Sequence, residues 1–415
     1  MKVLFVTPQI PLPNVGRCGA AVKNFYLIKR LSSWHEIQIL TLIDGKHQTK
    51  LLDGLAPYCK KICCIKKRER SFRQRLIQAI SSNKPDLQTR IMSPELEDGF
   101  RTIVERDNFD IIQIEGLELS DLLLKLNNSS AKKVLDEHNA EYVLAWRNMV
   151  RHIKKLNVPL FAYSFIQFFK LANYEKKLLG KVDLCLTVSN NDLHYLKKIS
   201  PYSEFLTIPT SVEPVSEKVE YDKVENSIIF TGVMFYKPNV DGIIWFCSKV
   251  FPLIKKRVPN AKLFIVGKGP VKKVKKLFQD DAVTIAGEVA DIGPFYRNSK
   301  VAVVPLKLAG GTSTKALEAM AYGLPVVMTR SVARSMGIHI YGNLAVAENA
   351  KDFAEKVILF LREKSLWELY SERAMRTIQR DFNINEIAFK LSTKYAHLVG
   401  ATQGSTFQSR DYHEL

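Results

Sequence analysis

The stretch VAVVPLKLAGGTSTKALEAMAYGLPVVMT, residues 301–329, reads as a strand, a turn, a helix and a second strand. VAVVP and PVVMT are short continuous apolar runs rich in valine, the pattern of strands buried on both faces of a parallel sheet. The whole is the size of one βαβ unit. In the turn, Gly310 and Gly311 carry no side chains, so the backbone amides of 311 to 315 can surround a diphosphate. Thr312, Ser313 and Thr314 lead into the helix, whose N-terminal dipole favours an anion. Lys315 puts a positive charge in the first turn, where the dipole disfavours it, a placement that makes sense with an anion bound. Glu318 lies four residues after Thr314 on the same helix face. A carboxylate there can accept two hydrogen bonds from a vicinal diol such as a ribose. The same residues also fit a plain capped turn with a surface glutamate. No GK[ST] sequence occurs in the chain, so the turn is not a Walker loop.

The βαβ rhythm extends outward from this stretch. Apolar runs at 3–7, 37–42, 62–65, 111–114, 134–138, 184–188 and 205–209 precede it. After them come 228–232, 263–267, 283–287 and, beyond 305, the runs 325–329 and 344–348. Helical segments separate them, the order of doubly wound α/β domains. Residues 210–227 are charged, carry a proline and lack periodicity, so they are expected to be an inter-domain linker. From 351 onward the pattern is helical, with an apolar stripe through Phe353, Val357, Leu361 and Leu369, and a last helix is expected at about 384–399. The tail beyond is polar and expected to be disordered.

Ligands of parallel sheets bind beyond the carboxyl ends of the strands. After the first strand come Gly16 and Gly19, just before a helix; the full GxGxxG pattern is absent, so a plain turn stays open. His138 stands at the end of VLDEH, where it is either structural or able to donate a hydrogen bond or exchange a proton. Lys237 follows the run at 228–232 and is either a phosphate contact or a solvated lysine. Gly269 makes another turn at a strand end, and the backbone of Val289 is placed to meet a base edge. No Asp-x-Asp triad stands at a strand end and no His/Cys/Asp cluster has metal spacing, so no metal is expected.

The chain of 415 residues carries a net charge of +19, which points to an anionic partner. Its six cysteines include no CxxC pair and are expected to be free thiols in a reducing compartment. VLFVT is too short for a signal-peptide core or a membrane span, and a cytoplasmic location is expected. The sequons at Asn127 and Asn128 are then without consequence. Basic side chains concentrate at 60–75, where Lys60, Lys61, Lys66, Lys67, Arg68, Arg70, Arg73 and Arg75 face one acid. A second basic zone with interleaved aromatics, including Phe161, Tyr163, Phe165, Phe168 and Phe169, runs from Arg147 to Lys177. These zones fit a peripheral contact with an anionic membrane, or else a solvated basic face beside a buried aromatic helix.

Several ordered motifs carry a resemblance: PQIPLPNVG after the first strand, DEHN (136–139), YEKKL running to LTVSNND (186–192) and IPTSVEP (208–214). TGVMFYKPN (231–239), LFIVGKGP (263–270), IAGEVAD (285–291) and GGTSTKALEAMAYGLPVV (310–327) continue it. Together they resemble the retaining GT-B glycosyltransferases of family 4, over residues 1 to 398. The resemblance implies two facing Rossmann-like doubly wound domains, 1–212 and 213–383, with a C-terminal helix at 384–399 returning to the first. It implies that the first domain takes the acceptor and the second holds a nucleotide-diphosphate sugar, without a cofactor. Glu318 matches the ribose-binding glutamate, Thr312 to Thr314 the diphosphate amides, His138 the residue touching the transferred sugar, and Val289 the base contact. Retention implies front-face departure and attack. Three positions depart from the pattern. Gly310 replaces the first of the paired glutamates, Val233 replaces an arginine, and Thr210-Ser211 replaces Asn-Gly. The expected activity is transfer from a UDP-sugar or GDP-sugar to a glycan or lipid-linked acceptor in surface polysaccharide or glycolipid synthesis. The departures also admit a non-catalytic basic binding protein on a degenerate GT-B scaffold. No nucleic-acid module is present, so no nucleic-acid partner is expected.

Overall fold

The structure is a computed structural model that describes residues 1–12, 19–45, 51–68, 82–126, 129–154, 156–215, 217–269, 274, 281–289, 291–307, 312–336 and 345–400. Gly16, Gly310, Gly311, Arg70, Arg73, Arg75, Asn127, Asn128 and the tail from 401 lie outside the described residues.

Thirteen strands form among the described residues, each where an apolar run stands. They are β1 (Lys2–Thr7), β2 (Glu36–Ile43), β3 (Lys61–Lys66), β4 (Ile111–Glu115), β5 (Lys132–Glu137), β6 (Leu184–Thr187) and β7 (Phe205–Thr207) in the first half. In the second half are β8 (Ser227–Thr231), β9 (Lys262–Val266), β10 (Val283–Gly287), β11 (Val301–Val304), β12 (Val326–Thr329) and β13 (Ala345–Ala347). The helices that matter below are α1 (Gly19–Leu31), α2 (Glu141–Lys154), α3 (Val158–Leu179), α4 (Lys237–Trp245), α5 (Gly293–Arg297), α6 (Thr314–Ala321), α7 (Ala350–Arg362), α8 (Lys364–Asp381) and α9 (Ile384–Leu398).

The strands make two sheets, β3-β2-β1-β4-β5-β6-β7 and β10-β9-β8-β11-β12-β13. Every pairing is parallel. β4, β6, β8 and β11 are buried at every position, which explains why their sequences do not alternate. In each sheet the chain runs outward from the first strand to one edge, then returns to its other side. The strand order therefore reverses between β1 and β4 and between β8 and β11, the places where open α/β sheets bind ligands.

The chain divides into two compact units. The first is Met1–Ile10, Leu27–Ile208 and Glu386–Leu415; the second is Pro11–Tyr26 and Pro209–Asn385. α9 belongs, from Glu386, to the first unit. Its Ser392 Oγ lies 2.7 Å from His35 Nε2, its Phe389 packs edge-on to Trp34, and its Tyr395 hydroxyl bonds to Gln113.

Two sequence expectations change. The stretch 210–227 is not a free linker. Val212 N–H donates to the Phe382 carbonyl, Val219 N–H to the Tyr322 carbonyl, and the Tyr221 hydroxyl to the Leu361 carbonyl. Val212 and Val219 are buried in the second core, so two apolar side chains anchor an otherwise charged segment. The helical region after 351 is two helices, α7 and α8. Phe353, Val357 and Leu361 of α7 are buried, whereas Leu369 of α8 is exposed. Cys59, Cys63, Cys64, Cys185 and Cys247 are free thiols.

Candidate functional site

In the second unit, β8 and β11 are neighbours with Val301 beside Ile228 and Ala302 beside Ile229. Their carboxyl ends therefore lie side by side, and the turns that follow them meet. α6 starts there, with Ser313 as its N-cap. A serine at this position ordinarily accepts a hydrogen bond from an amide of the first turn. Ser313 makes no such bond, and among the described residues its buried Oγ has no partner. Thr312, Ser313 and Thr314 are partly buried. Gly19, at the start of α1, also belongs to this unit; a Cβ on it would lie 3.1 Å from Thr314 Oγ1.

Glu318 sits one turn down α6. Its Oε2 accepts the Tyr296 hydroxyl of α5 at 3.0 Å. That hydroxyl also lies 3.1 Å from Thr231 Oγ1 at the end of β8. Tyr296 is fully buried and stacks on Tyr322 with ring centroids 5.1 Å apart, so the phenol has little freedom. Burial pushes the Glu318 carboxyl up to about 7, against the opposing pull of the Tyr296 hydrogen bond and of Lys315.

Lys315 points back from α6 toward the end of β8. Its Nζ donates to Asn239 Oδ1 at 2.6 Å and lies 4.9 Å from the Phe230 ring centroid. Burial pulls its ammonium down to about 7, opposed by Glu318. An acid and a base three residues apart thus both titrate near neutrality, poised for a ligand to decide their charge. The close approach depends on Gly232. Its φ is +155°, and a Cβ there would fall 2.8 Å from both Lys315 Nζ and Asn239 Nδ2. Gly267, at the end of β9, is tighter still, since a Cβ would fall 2.0 Å from the Gly232 carbonyl oxygen.

The other candidates spread around these strand ends. Gly269 has φ +73°, and a Cβ there would meet the Phe235 ring at 3.2 Å. Val289, just past β10, is partly buried against the core. Lys237 opens α4 with an exposed side chain paired to Asp241 at 2.7 Å, so a carboxylate one turn on already holds its charge. The lysine that the structure brings to Glu318 is Lys315. Tyr296 and Asn239 were not singled out from sequence. No motif marks them, because their value lies in where a phenol and an amide point across the fold.

In the first unit, β5 carries Asp136 at its end and His138 follows it. Neighbouring β4 ends on Glu115, opposite Asp136 in the register. His138 Nε2 lies 3.2 Å from Glu115 Oε2, and both carboxylates are fully buried. Glu115 also accepts from Gln113 Nε2 at 2.6 Å. Ligand atoms of Glu115, Asp136 and His138 all lie within 4.8 Å of one another, a group able to hold a metal ion. The expectation that no cluster has metal spacing is corrected here. Glu115 comes from another strand, so spacing along the chain could not reveal it.

Behind this group lies a second set of acids. Glu175 of α3 accepts the N–H groups of Glu141 and Tyr142 at 2.7 and 3.0 Å, capping α2. Burial raises Glu137 well above the carboxylate range and pushes Glu141 and Glu175 to about 7. The neighbouring Glu175 carboxyl adds to the rise at Glu137, since two like charges in one buried site oppose each other.

Of the two basic zones, the described part of the first lies on and beside edge strand β3, where Lys60 pairs with Glu36 at 2.9 Å. Lysines on an edge strand also guard it against pairing with another chain.

Residues 225–363 match the family of group 1 glycosyl transferases. This segment contains all three residues of the Lys315–Glu318–Tyr296 arrangement. Over 401 residues the chain is 21% identical to an uncharacterized 44.6 kDa protein in the cps region of Klebsiella pneumoniae, covering 93% of this chain and 97% of that one. Among solved structures it is similar to a sucrose-phosphate synthase from Thermosynechococcus elongatus, with TM-score 0.71 and 16% identity over 97% of this chain and 100% of that one. It is also similar to Anabaena Alr3699/HepE in complex with UDP and glucose, with TM-score 0.64 and 13% identity over 96% and 100%. The fold is GT-B, with one Rossmann-like sheet in each unit.

Proposed function

We propose that this protein is a retaining glycosyltransferase that takes its sugar from a nucleotide-diphosphate donor, a UDP-sugar before a GDP-sugar. The acceptor is a glycan or a lipid-linked glycan of surface polysaccharide or glycolipid synthesis, and the protein works as a peripheral protein on the cytoplasmic membrane face. The observation that carries the reading is Glu318, held by Tyr296 one turn below a helix N-terminus that has no side-chain cap. A ribose diol donates to Glu318, and the diphosphate lies against the amides at the start of α6, with Ser313 and Lys315 beside it. Support for UDP comes from the similarity to a protein solved with UDP and glucose.

In the step itself, the acceptor hydroxyl attacks the anomeric carbon on the face from which the diphosphate leaves. The new C–O bond forms as the sugar–phosphate bond breaks, and the leaving phosphate takes the hydroxyl proton. The growing negative charge falls on a helix N-terminus and on Lys315 once it is protonated. His138, paired with Glu115, is the residue that the resemblance assigns to the transferred sugar. The reaction uses no resident cofactor.

Thermal shift against a panel of nucleotides is the test. A nucleoside diphosphate at about one hundred times its dissociation constant adds roughly 2.7 kcal/mol of stability. Stabilisation by UDP that disappears in Glu318→Ala is the expected result. Indifference to every nucleotide removes the proposal.

A further inference from the structure

Most helices on a protein surface turn their apolar face inward. The second half of α3 does so, burying Leu171, Leu178 and Leu179, but its first half does the reverse. There the polar Ser164 and Gln167 are the buried residues, with Glu175 buried further along. Gln167 Oε1 accepts the Asp86 N–H at 2.9 Å, and the Tyr163 hydroxyl donates to Asp86 Oδ2 at 3.0 Å. Further along, the Tyr174 hydroxyl donates to Asp121 Oδ1 at 2.8 Å. These bonds set the helix rotation and leave the other face to solvent. On that face Val158 is 71% exposed, Phe165 45%, Ile166 42% and Phe169 50%, at helical spacing. Phe165 and Phe169 hold each other edge-on at 5.0 Å. The preceding turn adds Leu156, 89% exposed with φ +53°, and α2 adds Trp146, 49% exposed. A leucine in the left-handed region stores backbone strain, and here it pushes an apolar side chain outward. A contiguous exposed apolar face of this kind marks an interaction site.

The charges around it select the partner. No Asp or Glu occurs between Glu141 and Glu175, while Arg147, Arg151, Lys154, Lys155 and Lys170 do. Glu141 and Glu175 themselves are turned into the unit, where both are held up by burial. Arg147 and Arg151 are exposed beside the apolar stripe. A second copy meeting this face about a two-fold axis would bring these arginines against their own kind. A surface of anionic lipid meets both features, with headgroups for the arginines and the acyl boundary for the stripe. No helix among the described residues is long and apolar enough to cross a membrane, so the contact lies in the plane.

We propose that the outer face of α3, with Trp146 and Leu156, is the segment that seats this protein in the headgroup region of an anionic bilayer. This deepens the peripheral-membrane part of the reading above and is tested apart from nucleotide binding. Full-length protein is sedimented at physiological salt with vesicles of phosphatidylcholine alone and with 30% phosphatidylglycerol (about that fraction is enough to set a negative surface potential). Wild type is expected to partition at least tenfold more onto the anionic vesicles, with a blue shift of tryptophan emission. Phe165→Gln with Phe169→Gln is expected to lose that binding, and Arg147→Gln with Arg151→Gln to lose the preference for anionic lipid. Both variants keep the wild-type melting temperature and UDP response, because the altered side chains face outward. The proposal is overturned if wild type ignores anionic vesicles, if the phenylalanine variant binds as well as wild type, or if light scattering finds a wild-type dimer that the variant dissolves. A normal UDP response beside absent vesicle binding would sink this proposal alone.

Discussion

Two helices start just beyond a strand of a parallel sheet, α2 after β5 and α6 after β11, and their N-termini are treated in opposite ways. At α2 the protein supplies its own anion, since Glu175 takes the N–H groups of Glu141 and Tyr142. At α6 the side chain of the cap residue Ser313 makes no bond to the helix, and its hydroxyl is buried without a partner among the described residues. The surrounding charges follow the same division. Around α2 the fold gathers Glu137, Glu141 and Glu175, all held up by burial. Around α6 it sets Lys315 against Glu318. The same backbone dipole is therefore used once to bind the fold together and once left for a ligand.

Glu318→Ala is the sharpest way to break this comparison. Two charge-assisted hydrogen bonds to a ribose are together worth about 4 kcal/mol, so UDP affinity should fall by roughly three orders of magnitude. Titration calorimetry checks it, and an unchanged affinity would put the nucleotide elsewhere. Glu175→Ala is the counterpart in the first unit. It strands two helix N–H groups, so a loss of about 3 kcal/mol in unfolding stability is expected with UDP affinity unchanged. Denaturant melts measure the first and calorimetry the second.

The pH dependence comes next in size. Glu141, Glu175 and Glu318 are held at about 7 in the folded chain, above the ordinary value of 4.5. The folded state then binds more protons than the unfolded one between those values. The stability they contribute is full below 4.5 and is lost as pH rises through 7. Lys315, pulled down to about 7 from 10.5, acts oppositely but only above 7. His35, pulled down by burial to about 4 from 6.5, offsets one of these carboxyls below 6.5. Melting temperature is therefore expected to drop from pH 5 to 7 and to recover in part above 7 as the Lys315 contribution grows, and a rise from pH 5 to 7 would refute the assignment.

The smallest expected effect is that of Tyr296→Phe. It removes one donor to Glu318, a bond worth about 1 kcal/mol, so UDP affinity should fall about fivefold. The same hydroxyl holds the Glu318 carboxyl down, so the pH midpoint for UDP binding should shift upward in the variant. A loss of affinity without that shift would mean that Tyr296 acts only by packing.

Much of this was legible from the chain. The strands were visible because a strand buried on both faces needs unbroken apolar residues, and IIQI and VAVVP have no other use. The α6 turn was visible because glycines and hydroxyl residues before a helix serve a small range of purposes. Glu115 was not legible, because it meets Asp136 and His138 only through strand pairing. Tyr296 was hidden in GPFYR, a helix of one turn whose phenol gains its purpose from Glu318. The charged stretch 210–227 misled, because composition does not register that Val212 and Val219, helped by Tyr221, anchor it to the second core.

The clearest division lies in α3. The sequence by itself determined that residues 156–169 carry no charge and that basic residues flank them. It could not say whether that stripe faces a core or the solvent, since helical periodicity is the same for both. Only the tertiary structure decided, because Asp86 and Asp121 of the first unit take up the polar side of the helix and rotate its aromatic side outward. Composition and periodicity are properties of the segment, whereas direction belongs to what packs against it.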